Sequence, residues 1–332
     1  MSHELESMAW AGEIPWHGLG KRVPHDLTPV QMLHEAGLDW RVEKVRGARP
    51  ATIGKKRYTI ASDKYDVIRV KDGVPMDLNA KGQIIPLCES VGTDWKAHQN
   101  DVAMDFFHDL VMKSQAEMHT AGSLRNGQVV WVLAKLKREF KIASSKDIVE
   151  SYLLFANPHQ YGKSASMRST DIRVVCNNTF TQAISREAEV LRINHRQTFS
   201  EEKVREFLGL AQKKSENYEE LAKFLASKRY TEETVKEYVQ KVYPSTSKKT
   251  ADKKSEKEMS AGAKLIWDCL EKQPGFDLSP GTWWSAFNAT TFALDHLHGR
   301  SQDTRLDSAW FGGNKDRKID ALKLASDFAN AA

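Results

Sequence analysis

AEMHTAGSLRNGQVVWVLAKLK, residues 116–137, decides the fold. Two extended runs flank Arg125-Asn126-Gly127, and Asn-Gly is favoured in hairpin turns because it tolerates positive φ. The second run is rich in valine and holds a tryptophan, residue types that fit a pleated surface. A short turn between neighbouring strands implies antiparallel pairing rather than βαβ winding. Lys135 and Lys137 are two apart and share one sheet face, while Val130, Val132, Ala134 and Leu136 share the other. The expectation is a half-buried strand with one basic face.

Outward from this hairpin, apolar residues at helical spacing predict a helix near 99–115. Strand-like pieces lie at 39–45, 57–62 and 65–70, with a hairpin-type turn at Lys71-Asp72-Gly73. A helix over 28–37 takes Thr28 as N-cap, Pro29 at N1 and Gly37 as its stop. Residues 1–26 read as an arm with Trp10, Ile14 and Trp16 as apolar anchors. On the other side, 151–158 and 164–176 read as strands and a helix starts at about 178. From 200 onward helices dominate: 201–230, 231–243 with Thr231 as cap, then 260–272, 281–297 and 315–330. A lysine-rich stretch at 244–258 reads as a linker. The fold class is therefore α+β: an antiparallel β-sheet core with packed helices over 1–198, arm included, followed by a helical region over 199–332.

The 332-residue chain is 40 % hydrophobic and has nine tryptophans, enough for a substantial core. Its net charge of +5 suits a nucleic-acid partner without requiring one. The three cysteines, Cys88, Cys176 and Cys269, are far apart and show no CxxC spacing. A disulfide framework or zinc site is not expected, and a reducing cytoplasm is. The first residues lack a signal-peptide pattern, and no apolar run approaches the roughly 20 residues that span a bilayer. No membrane partner is expected.

Motifs for catalysis are missing from the sequence. There is no GxxxxGK[ST] loop, GxGxxG after a strand, GxSxG elbow or HExxH, and the eleven histidines are scattered. The expectation is a protein that is not an enzyme and takes no cofactor or metal. Cys176 sits where a strand turns into the expected helix, a place where a thiol can be activated. No His or Asp stands at an informative spacing from it. In the plainer reading Cys176 ends a buried strand as a small hydrophobe and Asn177 or Asn178 caps the helix.

The basic residues cluster. Residues 41–57 hold Arg41, Lys44, Arg46, Arg49, Lys55, Lys56 and Arg57 against Glu43 alone. Lys135, Lys137, Arg138 and Lys141 close the second strand of the hairpin, Tyr161 and Lys163 lie in the next loop, and Arg168 and Arg173 in the strand after it. A basic stripe on consecutive strands is the usual footprint of a phosphate backbone, and aromatics such as Trp40, Tyr58, Trp131, Phe155 and Tyr161 could stack on unpaired bases. The plain alternative is lysines that solvate an exposed face above a core of aromatics.

HELESMAWAGEIPWHGLGKRV near the start, AGLDWRVEKV, AGSLRNGQVVWVLAKL, RVVCNNTFTQAI, WWSAFNATTFALDHLHGR and AWFGGNKDRKIDALKLA together resemble the phage/plasmid-like proteins, a domain-of-unknown-function family, over essentially the whole chain. The resemblance implies a mobile genetic element in a bacterial cell. The order helix–strand–strand–strand–helix, with basic strands, is distantly similar to single-strand annealing recombination proteins. That similarity implies a ring or filament holding single-stranded DNA in a basic groove without cofactor chemistry. The expected nucleic-acid contacts are Arg41, Arg46, Lys55, Lys56, Arg57, Lys135, Lys137, Tyr161, Lys163, Arg168 and Arg173, with Trp40 as a further stacking residue. A second reading is a structural or regulatory phage or plasmid protein that acts through protein–protein contacts made by the N-terminal arm and the C-terminal helices.

Overall fold

The computed structural model describes residues 5–12, 19–113, 115–173, 178–181, 190–197, 201–245, 259–299, 308 and 312–332. The α+β class holds, with two sheets and helices concentrated toward the C-terminus.

The larger sheet contains β1 (Leu5–Ala11), β2 (Lys21–Val23), β7 (Ala116–Leu124), β8 (Val129–Lys141), β9 (Ile148–Pro158), β10 (Ala165–Arg173), β11 (Asn178–Thr181) and β12 (Leu191–Ile193). Its order is β11-β10-β9-β8-β7-β1-β2, with β12 also on β10. The expected hairpin is present: β7 pairs antiparallel with β8, from Leu124↔Val129 to Ala116↔Leu136. Arg125, Asn126 and Gly127 all have positive φ (55°, 53° and 78°), the backbone that selects Asn-Gly here.

Three expectations need correction. β8 is not half-buried: Val129 to Ala134 are buried whichever way they face, and only from Lys135 onward does the strand open. Residues 5–11 are not an external arm but an inner strand, antiparallel to β7 and parallel to β2, with Trp10 in the core. Residues 178–181 are not the start of a helix but β11, antiparallel to β10 from Arg173↔Asn178 to Thr170↔Thr181. Ile14, Trp16, Cys176, Asn177 and most of the 244–258 stretch lie outside the described residues.

The smaller sheet is built from β3 (Arg41–Ile53), β4 (Lys56–Lys71), β5 (Val74–Pro75) and β6 (Cys88–Val91) in the order β3-β4-β5, with β6 on β4. The expected turn at 71–73 is there, with Asp72 at φ 51° and Gly73 at φ 77°.

The chain forms two compact units, residues 1–137 with 153–168 and 190–208, and 138–152 with 169–189 and 209–332. In the first unit, α1 (Pro29–Glu35) and α2 (Asn100–Met112) pack on each other and on β7. Thr28 caps α1 through a capping box with Gln31, as the Thr-Pro signal implies. The second unit holds α3 (Glu201–Ser227), whose first residues belong to the other unit, α4 (Glu232–Val242), α5 (Ala261–Cys269), α6 (Trp283–Phe292) and α7 (Gly313–Ala331). Helix α6 is buried from Trp283 to Thr291 on all sides, with α5 and α7 packed against it. Tyr238 donates or accepts with Thr290 (3.0 Å), and Trp284 Nε1 donates to Asp147 Oδ2 (3.0 Å).

Candidate nucleic-acid interface

The basic cluster at 41–57 folds as a two-stranded ribbon. β3 and β4 run antiparallel through Ile53↔Lys56 and meet at Gly54-Lys55. Gly54 has φ 62° at the first central position of the turn, where a II′ hairpin turn takes glycine. The ribbon has two parts. At its base Val42, Val67, Ile68, Arg69 and Val70 are buried. The register then breaks between Arg46 and Ala48, and Gly47 lies so close to Asp66 that a Cβ would stand 3.0 Å from Oδ2. Beyond that bulge, from Ala48 to Ala61, no residue is buried. Two strands without a covering layer have no core of their own, so the base must hold this segment.

The base is fixed by a charge cluster around one buried cation. Arg69, 4 % exposed, donates through Nε to Asp77 Oδ2 (2.8 Å), through Nη2 to Asp77 Oδ1 (2.5 Å) and through Nη1 to Glu6 Oε2 (2.8 Å). Its guanidinium also lies 5.2 Å from the Trp40 ring centroid. Gly127 lets this group in, since a Cβ there would stand 2.6 Å from Nη1. Burial works against the charged form of Arg69, but the two carboxylates outweigh it and raise the pKa.

The structure places the expected contact residues in three groups. Arg46, Lys55, Lys56 and Arg57 share the ribbon and make no ion pair among the described residues. Arg41 is at the base, paired with Asp101 (3.0 Å). Tyr161 and Lys163 are exposed on the β9–β10 loop, which Tyr161 N–H ties to Cys88 Sγ on β6 (3.1 Å). Lys135, Lys137 and Arg168 belong to the larger sheet. Glu117 lies directly opposite Lys135 and within 3.8 Å of Lys137 Nζ, which reduces the positive charge at that end of β8. Arg173 ends β10, opposite Asn178.

The aromatics sort differently from expectation. Trp131 and Phe155 are fully buried, and Trp40 is buried between Arg69 and His159. None of the three can stack on a base, because the hydrophobic gain of burying a large ring outweighs display. Tyr58 and Tyr161 remain exposed, at 49 % and 67 %. The sequence reading missed Ile53 and Ile60, which are also exposed on the ribbon. Pro50 and Gly47 interrupt the strand pattern there, although residues 46–57 contain no acidic residue, and that was the available signal.

A second constellation was invisible in the sequence. His98, His159 and His195 come together, buried, with His195 stacked on Trp95 (4.5 Å) and on His98 (4.6 Å). His159 Nε2 lies 3.2 Å from Asn100 Oδ1, and His195 Nδ1 and Nε2 face the carbonyls of Lys96 and Pro158 at 2.9 and 2.8 Å. Burial first, then repulsion from the neighbouring rings, lowers His98 to about 4 and His159 to about 3. Burial also lowers His195, although its two carbonyls favour the imidazolium. Asn100 and the edge of Trp40 hold His159 at the root of the loop that displays Tyr161. No group of metal-binding side chains occurs among the described residues, and no described helix is long and apolar enough to cross a membrane.

The site is thus a basic, exposed, two-stranded ribbon held at its base by Arg69. Residues 88–310, more than half of the chain, match the family model described as "Domain of unknown function (DUF932)". The chain belongs to that family. The ribbon at 46–61 precedes the matched segment. Neither a curated protein nor a solved structure matches the chain.

Proposed function

We propose that this chain is a nucleic-acid-binding protein of a phage or plasmid, which binds single-stranded DNA and anneals complementary strands as an oligomer. One observation carries the reading: Arg46, Arg49, Lys55, Lys56 and Arg57 project from an exposed ribbon whose segment 46–57 has no acid. Arg49 is held by Glu89 (3.0 Å), which leaves four cations for phosphates. Phosphate neutralisation and counterion release supply most of the affinity of such a surface. Tyr161 and Lys163 extend the contact. Annealing needs no nucleotide cofactor and no catalytic group, only strands held with their base edges free. The mobile-element context rests on the sequence strings resembling phage/plasmid-like proteins.

The test is fluorescence anisotropy with a labelled single strand and the matching duplex at low and high salt, followed by annealing of complementary strands. Tight, salt-sensitive binding that favours the single strand supports the proposal. Absence of binding to either at low salt removes it. A second apolar surface favours the protein-contact reading: Val74 of β5 and Met76, Leu78, Ile84 and Ile85 between β5 and β6 are all exposed. Loss of self-association on replacing Leu78 and Ile85 by Asp, with DNA binding retained, would assign that surface to assembly.

A further inference from the structure

The ribbon has two unlike faces. Residues directly opposite each other across an antiparallel pair share a face, and residues two apart along a strand share it too. The register Arg49↔Ile60, Ala51↔Tyr58, Ile53↔Lys56 therefore puts Ile53, Tyr58 and Ile60 on one face, with Lys56 and Arg49 at its two ends. The other face presents Pro50 and Thr59, then Thr52 and Arg57. The first face is an exposed apolar row, with Ile53 at 69 %, Tyr58 at 49 % and Ile60 at 57 %. An apolar row this open on a strand pair is a standing invitation to aggregate, so something is expected to cover it.

We infer that this face takes the unpaired bases of a single-stranded nucleic acid, with Tyr58 stacked on a base and Ile53 and Ile60 packed on either side. The inference rests on the nucleic-acid reading above and adds which side chains meet bases rather than phosphates. Charge complementarity chooses the occupant. Lys56 closes the row at the ribbon's tip, Lys55 sits in the turn beside it and Arg57 lies on the reverse face, all three without an ion pair among the described residues, whereas Arg49 at the other end is held by Glu89 and Asp66. A neutral apolar partner would gain nothing from that frame, whereas a nucleic acid brings apolar ring faces and phosphates on one chain. Spacing agrees. Side chains on one face recur about every 6.8 Å, roughly twice the 3.4 Å rise of stacked bases. That leaves room for a side chain between two unstacked bases. Duplex bases are already stacked and offer no free face, so unpaired bases are the fit.

The test compares wild type, Tyr58→Ala, Tyr58→Phe and K55E/K56E/R57E, using a labelled oligothymidine and an abasic oligonucleotide of equal length. All four positions are exposed, and circular dichroism checks that each variant is folded. Tyr58→Ala is expected to weaken oligothymidine binding about tenfold or more, the scale of one lost base stack, and to leave abasic binding unchanged. Tyr58→Phe should retain wild-type affinity. Equal affinity of Tyr58→Ala and wild type for oligothymidine, with K55E/K56E/R57E losing all binding, would overturn the inference and leave the nucleic-acid reading standing. No binding by wild type would instead remove that reading. Two further outcomes would also overturn the inference: wild type, but not Tyr58→Ala, sedimenting with phosphatidylglycerol vesicles while DNA affinity is unchanged, and Tyr58→Ala dispersing an oligomer with DNA affinity unchanged.

Discussion

At the scale of single residues, Arg69 joins the ribbon's root to the rest of its unit. Its carboxylate partners Glu6 and Asp77 keep 29 % and 19 % of their side-chain surface exposed, so only the cation is fully buried. Arg69→Met should destabilise the protein by about 2 kcal/mol, because it removes the charge-assisted hydrogen bonds of a buried cation while its carboxylates regain water. Urea unfolding measures this. The three buried histidines set the acid limit. A histidine whose folded pKa lies below its unfolded value binds fewer protons when folded, so stability falls as pH drops below about 6.5. His98 at about 4 and His159 at about 3 place that loss between pH 6.5 and 4 for the first and between pH 6.5 and 3 for the second. At pH 5 each costs about 2 kcal/mol relative to neutral pH. The urea midpoint should drop steeply over this range, and a flat profile would refute the neutral trio. The sequence could not announce this cluster: His98, His159 and His195 come from three distant segments, and only the folded chain brings them into contact.

At the scale of elements, caps and turns were the most legible features because their chemistry is local. Thr28 and Thr231 cap α1 and α4 as their sequences imply, each through a reciprocal side-chain–backbone pair. Thr231→Ala should cost about 1 kcal/mol, read as a lowered urea midpoint. The hairpin at 125–127 and the turn at 71–73 were equally plain. What stayed hidden depends on burial by distant elements. β8 looked amphipathic, yet is covered on both faces over Val129–Ala134, and β1 looked like an arm, yet lies between β2 and β7. The ribbon itself is the clearest element-scale prediction. Its distal part has no buried residue and is tied down by the pairs of the exposed Arg49 with Glu89 and Asp66, so replacing residues 48–61 by Asn-Gly should change unfolding free energy by no more than about 1 kcal/mol. The same replacement should abolish nucleic-acid binding. Loss of both stability and binding would mean the ribbon is part of the core.

For the whole molecule, the sequence reading recovered the α+β class and the basic stretch at 41–57. The eleven expected contact residues lie on a ribbon, a loop and the larger sheet. A charge run is visible in a sequence, but the carboxylates that face it across strands, such as Glu117 opposite Lys135, are not. The account therefore rests on the ribbon's four unpaired cations, Arg46, Lys55, Lys56 and Arg57. The most direct measurement is the affinity of wild type and of K55E/K56E/R57E for a labelled single strand over a series of salt concentrations. Each phosphate contact on a single strand contributes about 0.7 to the slope of log K against log salt, so four contacts predict a slope of about −3 for wild type. That slope is expected for wild type, with no measurable binding by the triple variant. A wild-type affinity indifferent to salt, or a triple variant that binds as wild type does, would contradict it.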